Sequence, residues 1–591
     1  MYVVATAGHV DHGKSTLVRA LTGMEPDRWA AERRRGMTID LGFVWTTLPS
    51  GAELAIVDVP GHRRFIGNML SGIGPVPGVL FVVAADEGWR EQSAEHLRAV
   101  QALGVRHGVL AITRCDRADP GPALLTARAE LQRAGLEPVP AVAVCAVTGY
   151  GLADLVTALD AMTLRMTAPD PVQRVRLWID RSFTIQGSGT VITGTLSSGA
   201  VGTGDSLDVC GVGALESVTV RAVEALGVAR DRVSAPARIA LNLRRVAPGR
   251  LHRGDTLLTP QAWHLADVVD VRAHAFEERL PLRLTLHVGT AAVRVRARPL
   301  APGALRLTLE RALPLQPGDR AILRDPGGRG VIAGVVILDA DPPQLRRRGA
   351  AALRAAQLAD SPERPDLASA LRGRGSLAVE AAQRLGVPRG QPLPEGVLCI
   401  GSWYVEEATW RAWTAGLSAA VTAHRRAHPL QPGMPTAAAV ATVDLPDPAL
   451  LEALVTEAGL MSFGGRVSEP AAAPDLGPAE AALSAFEEAL ACHPFAAPER
   501  GELQAAGLTA RHLAAAASAG RIIVLADDVV LLPTAPALAM GTLSALPQPF
   551  TASQARQALG TTRRVTIPLL EHLDRRGWTR RVDSGLREVA D

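Results

Sequence analysis

Eight residues near the start of the chain, Gly8-His9-Val10-Asp11-His12-Gly13-Lys14-Ser15, have the spacing GxxxxGK[ST]. They follow an apolar stretch, Tyr2–Ala7, that reads as a strand, and they open a stretch that reads as a helix. A strand, a glycine-rich loop and a helix in that order turn backbone N–H groups and the positive end of a helix dipole toward one point, which suits a phosphate. On this reading Gly8, Asp11, His12, Gly13, Lys14, Ser15 and Thr16 wrap a nucleotide's phosphates. Lys14 reaches the β- and γ-phosphates, and Ser15 is a Mg²⁺ ligand. Lys14 is also the single lysine among 62 Lys plus Arg. The chain uses arginine everywhere else, and a planar guanidinium does not replace a compact ammonium where space is tight.

The stretches Leu54–Val57, Val79–Ala84, Val109–Thr113 and Ala141–Cys145 read as further buried parallel strands, with helical patterns such as Ser93–Leu103 between them. This alternation predicts a doubly wound α/β sheet. Three more elements fit a GTPase. Thr38, in Arg35-Gly36-Met37-Thr38, suits a γ-phosphate-sensing Mg²⁺ ligand, or else only caps the next strand. Asp58-Val59-Pro60-Gly61-His62 places a carboxylate beside the metal, a glycine against the γ-phosphate, and a histidine able to orient the attacking water. The catalytic set is therefore His62, Gly61 and Lys14, and the metal set Ser15, Thr38 and Asp58. The base-reading loop, usually Asn-Lys-x-Asp, is here Thr113-Arg114-Cys115-Asp116. Asp116 keeps the carboxylate that pairs with guanine. Thr113 has a hydroxyl in place of an amide, Arg114 has a long stem to cover the base, and Cys145-Ala146 completes the pocket.

At 591 residues the chain has length for about three to five domains. A net charge of +3 excludes a general basic coat, so any nucleic-acid face is a local patch. Five scattered cysteines, Cys115, Cys145, Cys210, Cys399 and Cys492, include no CxxC pair and argue against a disulfide framework or a zinc site. No apolar run approaches the ~18–20 residues of a membrane span, and the expectation is a cytoplasmic monomer.

From Pro171 to Asp341 short strands alternate with glycine-rich turns: Ile192–Thr195, Ser217–Val220, Arg238–Leu243, Ala292–Ala297, Leu305–Leu309 and Gly330–Leu338. This predicts two small β-barrels with a break near Thr259–His264. From Arg346 onward a helix followed by a tight hairpin recurs. The copies are Leu377–Leu385 with Val397–Val405, Ala449–Ala458 with Gly459–Ser468, Thr509–Ala519 with Arg521–Leu532, and Thr566–Arg576 with Trp578–Val589, turning at Asp583–Gly585. Four such units suggest tandem winged-helix (α+β) domains, or a run of small α+β modules with no nucleic-acid role. The expected division is 1–168 (P-loop GTPase domain), 169–260 and 261–345 (barrels), then 346–432, 433–475, 476–540 and 541–591 (winged helices).

The motifs resemble those of translational GTPases of the elongation-factor Tu group: Gly8–Ser15, Arg35–Asp40 and Asp58–His62. The run Arg35–Phe43 and the threonine in the base-reading loop resemble the bacterial selenocysteine-specific elongation factors, the SelB family. Asp180–Phe183, Gly187-Ser188-Gly189–Gly194 and Arg238–Asn242 are similar to that family's first barrel. His287–Thr290 and Leu323–Asp325 are similar to its second, and Gly560–Arg564, Leu569–Asp574 and Thr579–Arg581 to its last winged helix. The resemblance implies a factor that binds GTP or GDP with Mg²⁺ and carries selenocysteinyl-tRNA to the ribosome at UGA codons. Its tail would bind an mRNA hairpin, the selenocysteine insertion element. The family's aminoacyl pocket falls on Asp180, Arg181 and Arg238. A selenol ionises near neutral pH and a serine hydroxyl does not, so a guanidinium can favour the first. The alternative for each is an ordinary barrel ion pair. For the hairpin the expected residues are Arg563, Arg564, Arg580 and Arg581, otherwise a solvated face. A general elongation factor and a GTP-regulated metabolic enzyme subunit share the GTPase and barrels but leave the tail of about 240 residues unexplained. A DNA-binding regulator leaves His62 and Thr38 unexplained.

Overall fold

The computed structural model describes the whole chain except residues 27–37, 137–138, 168, 188, 212–215, 275–280, 328–330, 432, 471–474, 584 and 591. Arg35, Gly36 and Met37 of the resemblance, Ser188, Gly330 and Ser584 thus lie outside the described residues. The chain divides into two units, one of residues 1–397 with 402–404 and one of 398–401 with 405–591.

The first unit opens with β1 (Tyr2–Ala7), α1 (Lys14–Thr22), β2 (Gly42–Thr47), β3 (Glu53–Asp58), α2 (Ile66–Ile73), β4 (Gly78–Ala84), α3 (Glu91–Ala102), β5 (His107–Thr113), α4 (Pro120–Arg133), β6 (Ala141–Ala143) and α5 (Leu152–Leu164). The sheet order is β2-β3-β1-β4-β5-β6. All neighbours are parallel except β2, which runs antiparallel on β3. The central strands are mostly apolar because helices cover both faces, and β4 is buried at every residue. Their loops leave from the C-terminal ends of the strands, so the loops after β1, β3 and β5 gather at one edge.

Two antiparallel barrels follow. The first joins β7 (Arg176–Ile185), β8 (Gly189–Leu196), β9 (Ala200–Gly202), β10 (Ser206–Cys210), β11 (Glu216–Ala225), β12 (Val228–Arg230), β13 (Arg232–Ser234), β14 (Ala237–Arg244) and β15 (Thr256–Leu258). Its ring runs β10-β15-β7-β8-β14-β11 and closes from β11 to β10. The second is a closed six-strand barrel of β16 (Ala266–His274), β17 (Arg283–Val288), β18 (Ala291–Ala301), β19 (Ala304–Leu313), β20 (Arg320–Arg324) and β21 (Val331–Asp339). In β18 the alternation of buried and exposed residues is strict from Ala291 to Arg298, as a barrel wall requires.

The segment that follows residue 345 packs on the second barrel. Leu367, Leu371, Leu377, Ala382 and Leu385 share one core with the second barrel. A buried ion cluster reinforces the join. On α6 (Ala350–Ala359), Arg354 donates to Asp270 at 2.7 Å and to Asp339, and Arg306 chelates the same Asp270 at 2.7 and 2.8 Å. Asp270 is fully buried, so its charge is tolerable only with these partners.

In the second unit helix and hairpin alternate. Strands Met434–Pro435, Arg466–Ser468 and Met461–Phe463 form one small sheet. Ile523–Val524 pairs with Val530–Leu531, and Phe550–Thr551, Leu586–Val589 and Thr579–Asp583 form the last sheet. Leu490, Leu531, Phe550, Leu569 and Leu573 belong to one core, so the last two helix–hairpin segments fold against each other. Among the described residues no helix is long and apolar enough to cross a membrane.

Arg354→Ala removes one partner of a buried carboxylate and should lower the stability of the first unit by about 3 kcal/mol. Arg354→Lys should restore little of this, because an ammonium cannot bridge Asp270 and Asp339 as a fork. Chemical denaturation of both variants checks the loss.

Candidate functional site

The loops at the carboxyl edge of the α/β sheet enclose a cleft of about 590 Å³. Asp11, Gly13, Lys14, Ser15, Thr16, Thr38, Gly61, Thr113, Arg114, Asp116, Cys145 and Ala146 all line it. Sequence separations of over 100 residues thus collapse onto one surface. Gly8, His12, Asp58 and His62 do not line it. The first three support the cleft from behind, while His62 is exposed.

The loop is shaped by close backbone approach. Gly8 has φ +135°, and a Cβ there would lie 2.1 Å from the Val82 carbonyl oxygen. Gly61 lies so close beneath that a Cβ would meet Val10 N at 2.5 Å and Lys14 Nζ at 2.6 Å. Lys14 is buried and donates to the carbonyls of Gly8 (3.1 Å) and His9 (2.7 Å). Burial pushes its pKa down to about 8, against the pull of Asp58 and Asp11. The His12 side chain is fully buried and its pKa is held down to about 3, chiefly by desolvation, so the ring is a neutral prop behind the loop.

Three hard oxygens converge beside Lys14. Ser15 Oγ lies 2.9 Å from Thr38 Oγ1 and donates to Asp58 Oδ2 at 2.6 Å. The other Asp58 oxygen accepts from Thr6 at 2.7 Å. Hydroxyl and carboxylate oxygens in this arrangement suit a hard divalent cation.

The base-reading loop departs from the usual residues but keeps a tether. Thr113 Oγ1 donates to the His12 carbonyl at 2.8 Å, joining this loop to the phosphate loop. Arg114 donates to the Asp11 carbonyl and pairs with Glu87 at 2.8 Å and Asp86 at 3.2 Å. The Asp116 carboxyl stays exposed, with its pKa lowered chiefly by a hydrogen bond from Cys145.

Two supporting residues escaped the sequence reading. Gly8 N–H donates to His96 Nδ1 and Val10 N–H to Gln92 Oε1, both at 3.1 Å. His96 is buried and pushed down to about 3 by desolvation, which keeps Nδ1 an acceptor. The available signal was two polar residues one helical turn apart on α3, in an otherwise amphipathic helix.

In the first barrel Arg238 grips Asp180 with both terminal nitrogens, one at 2.8 Å, and Thr193 donates to the same carboxylate at 2.7 Å. Arg181 donates to the Leu41 carbonyl and lies 3.7 Å from Asp40. Arg181, Arg238 and Thr193, but not the buried Asp180, border a cavity of about 150 Å³ shared with Phe43, Trp45 and Phe183. In the tail Arg563 is exposed at the start of the helix Arg563–Arg575. Arg564 instead donates to the Ala497 and Pro498 carbonyls. Arg580 pairs with Glu588, and Arg581 with Asp574 at 3.3 Å.

Comparison with known proteins follows this architecture. The family description "Elongation factor Tu GTP binding domain" matches residues 1–164, and the chain is 30% identical over 381 residues to elongation factor Tu 2 of Streptomyces avermitilis, covering 56% of this chain and 95% of that one. Cleft, sheet and paired barrels therefore define a P-loop GTPase of the elongation-factor Tu type. "Selenocysteine-specific elongation factor, beta-barrel domain" matches residues 268–344 and "Elongation factor SelB, winged helix" residues 542–585. The chain is thus similar to the SelB family of selenocysteine-specific elongation factors. It is 36% identical over 354 residues to the factor of Escherichia coli K12 (58% of this chain, 56% of that one). It is 35% identical over 361 residues to that of Desulfomicrobium baculatum (58% and 57%). The match thus spans just over half the length of these curated relatives. The crystal structure of a bacterial selenocysteine-specific elongation factor, EF-Sec, is similar at TM-score 0.78 and 25% identity, covering 100% of both chains.

The Lys14 ammonium predicts a proton linkage. Phosphates favour its charged form, so nucleotide binding raises the pKa from about 8. Affinity should fall as pH rises through 8, and at pH 8.5 each guanine nucleotide should take up roughly half a proton or more. Without nucleotide, an unfolded lysine near 10.5 keeps its proton while folded Lys14 releases it, so stability rises with pH across that window. Calorimetry in buffers of unequal ionisation heat measures the uptake.

Proposed function

We propose that this chain is a GTP-dependent carrier of selenocysteinyl-tRNA that acts in the cytoplasm as a monomer. It delivers its cargo to the ribosome at UGA codons marked by an mRNA hairpin and hydrolyses GTP on decoding. The observation that carries this reading is the Asp180–Arg181–Arg238 cluster, set beside the strand that follows Thr38. A cavity with two guanidinium groups favours a selenolate over a neutral serine hydroxyl, and Asp180, bonded to Arg238 and Thr193, holds one of the two in place.

In this reading Lys14 and the loop N–H groups hold the β- and γ-phosphates. Ser15, Thr38 and Asp58 would hold Mg²⁺, which when bound neutralises charge on the phosphates. Asp116 reads guanine, with Arg114 and the Cys145–Ala146 turn around the base. Thr38 senses the γ-phosphate and passes its state along Ile39–Phe43. His62 is exposed, and its Nδ1 accepts from Arg64 N–H at 3.1 Å, which leaves Nε2 to carry a proton. An outward His62 fits hydrolysis that completes only when the ribosome turns the ring to orient water. In the tail, Arg563, Arg580 and Arg581 are the cations placed for hairpin phosphates.

His62→Ala should keep guanine-nucleotide affinity and lose ribosome-stimulated hydrolysis by at least about a hundredfold; unchanged turnover removes His62 from the reaction. The reading as a whole is tested by competing selenocysteinyl-tRNA against seryl-tRNA on one tRNA body in the presence of GTP. Equal binding of the two would sink it.

A further inference from the structure

We propose that the helix–hairpin segment ending at Ser468 carries an RNA-binding surface of its own, in which Phe463 stacks on an unpaired base and Arg425 and Arg426 meet the flanking phosphates. The surface lies outside the last module and depends on neither the selenocysteine nor the hairpin reading. Phe463 is the most exposed Phe, Tyr or Trp among the described residues, at 88%. Met461, two residues before it on the same strand, is exposed as well.

The hairpin is built to present that ring. Met461–Phe463 pairs with Arg466–Ser468, and Phe463 lies directly opposite Arg466. Opposed residues of an antiparallel pair share a face, so Met461, Phe463, Arg466 and Ser468 lie together. Val467 belongs to the other face and is fully buried, so the face of Phe463 looks outward. Gly464 and Gly465 make the turn with φ +56° and +74°, the left-handed pair that a tight two-residue turn of this kind requires. No described atom lies within 4 Å of where a Cβ would sit on either glycine. A base therefore reaches the ring past a tip that carries no side chain.

Cations accompany the ring. Arg466 is held by the Gly433 carbonyl at 2.8 Å and reaches Gln431, which meets His424 at 3.2 Å. His424, Arg425 and Arg426 form the last turn of the helix Glu407–Ala427. Arg425 pairs with Glu469, the residue after Ser468, at 2.6 Å, and Arg426 is exposed. An exposed pair of this kind contributes little, so a phosphate replaces Glu469 at small cost. Hairpin and helix end together offer three arginines against one carboxylate. An aromatic face with cations beside it suits a base and its phosphates, whereas an apolar peptide would leave the guanidinium groups without anions. The next hairpin along the chain differs: it turns on Asp527 and Asp528, whose carboxylates repel phosphate.

The test measures fluorescence anisotropy of a labelled short oligouridylate, and of an RNA duplex of equal length, at low salt. The reference protein is the full chain carrying Arg563→Ala, Arg580→Ala and Arg581→Ala, so that the last module does not supply the binding. In that background Phe463→Ala should weaken the oligouridylate about tenfold, and Phe463→Trp should hold the reference affinity within about twofold. The duplex, whose bases are already stacked on each other, should bind the reference and Phe463→Ala alike. Arg426→Gln should weaken the single strand and reduce the slope of log affinity against log salt by about 0.7. Reference affinity in Phe463→Ala, or no binding of the single strand by the reference protein, overturns the proposal. So does Phe463→Leu binding as tightly as the reference, because an apolar contact without stacking then marks a protein-docking face. Equal thermal midpoints establish that each variant is folded.

Discussion

The fully buried carboxylate of Asp58 holds the nucleotide domain's working parts in register. One oxygen accepts from Thr6 on β1, the other from Ser15 at the start of α1, and Ser15 in turn meets Thr38. Thr6 also accepts from Val59 N–H, so strand, phosphate loop and the turn into Gly61 share one network. A charge in this position is costly without such partners, and each partner is itself fixed by backbone structure. The network therefore places the loop after β3 within contact of the loop after β1. The absence of a side chain at Gly61 then lets that loop settle against Lys14.

From that centre the geometry extends outward through the residues following Thr38. Asp40 receives Arg253 at 3.3 Å, and Arg253 also donates to Asn68 on α2 at 3.1 Å. Arg181 lies 3.7 Å from the same Asp40 and caps the Leu41 carbonyl. The first barrel thus grips both the segment after Thr38 and the helix that follows the Gly61–His62 turn. Any movement of Thr38 with nucleotide state must strain or release these contacts, which gives the proposed tRNA carrier a physical route from phosphate to aminoacyl pocket.

Local patterns made much of this legible. The strand Tyr2–Ala7 was readable to the residue, and the barrels followed from short strands with glycine turns, because these signals are local. The cleft was readable because its residues sit in fixed spacings around turns that only certain residues can make. What could not be read depends on packing between distant segments. His12 matches the motif, yet faces the interior; nothing in its neighbours in sequence says that Val82 and Glu87 surround it. Gln92 and His96 match no motif because their role is to receive two N–H groups from a loop over 80 residues away. The packing after residue 345 was hidden for the same reason: the apolar residues of 367–385 share a core with barrel strands that lie earlier in the chain.

The tail arginines show how composition and structure divide the work in the proposed RNA contact. With a net charge of +3, attraction to phosphate must come from few residues. Arg580 and Arg581 are exposed and already paired with carboxylates, yet exposed pairs contribute little, so a phosphate exchanges for the carboxylate at small cost. Such exchange makes binding depend on the shape of the RNA that can reach both wing and helix, and not on charge alone. Arg564 is different. Its acceptors are two backbone carbonyls that would be left unsatisfied if it turned outward, so it joins the segment at Ala497–Pro498 to the last helix. Of the four arginines singled out by sequence, Arg563, Arg580 and Arg581 can therefore meet a hairpin, while Arg564 keeps the surface that presents them in shape.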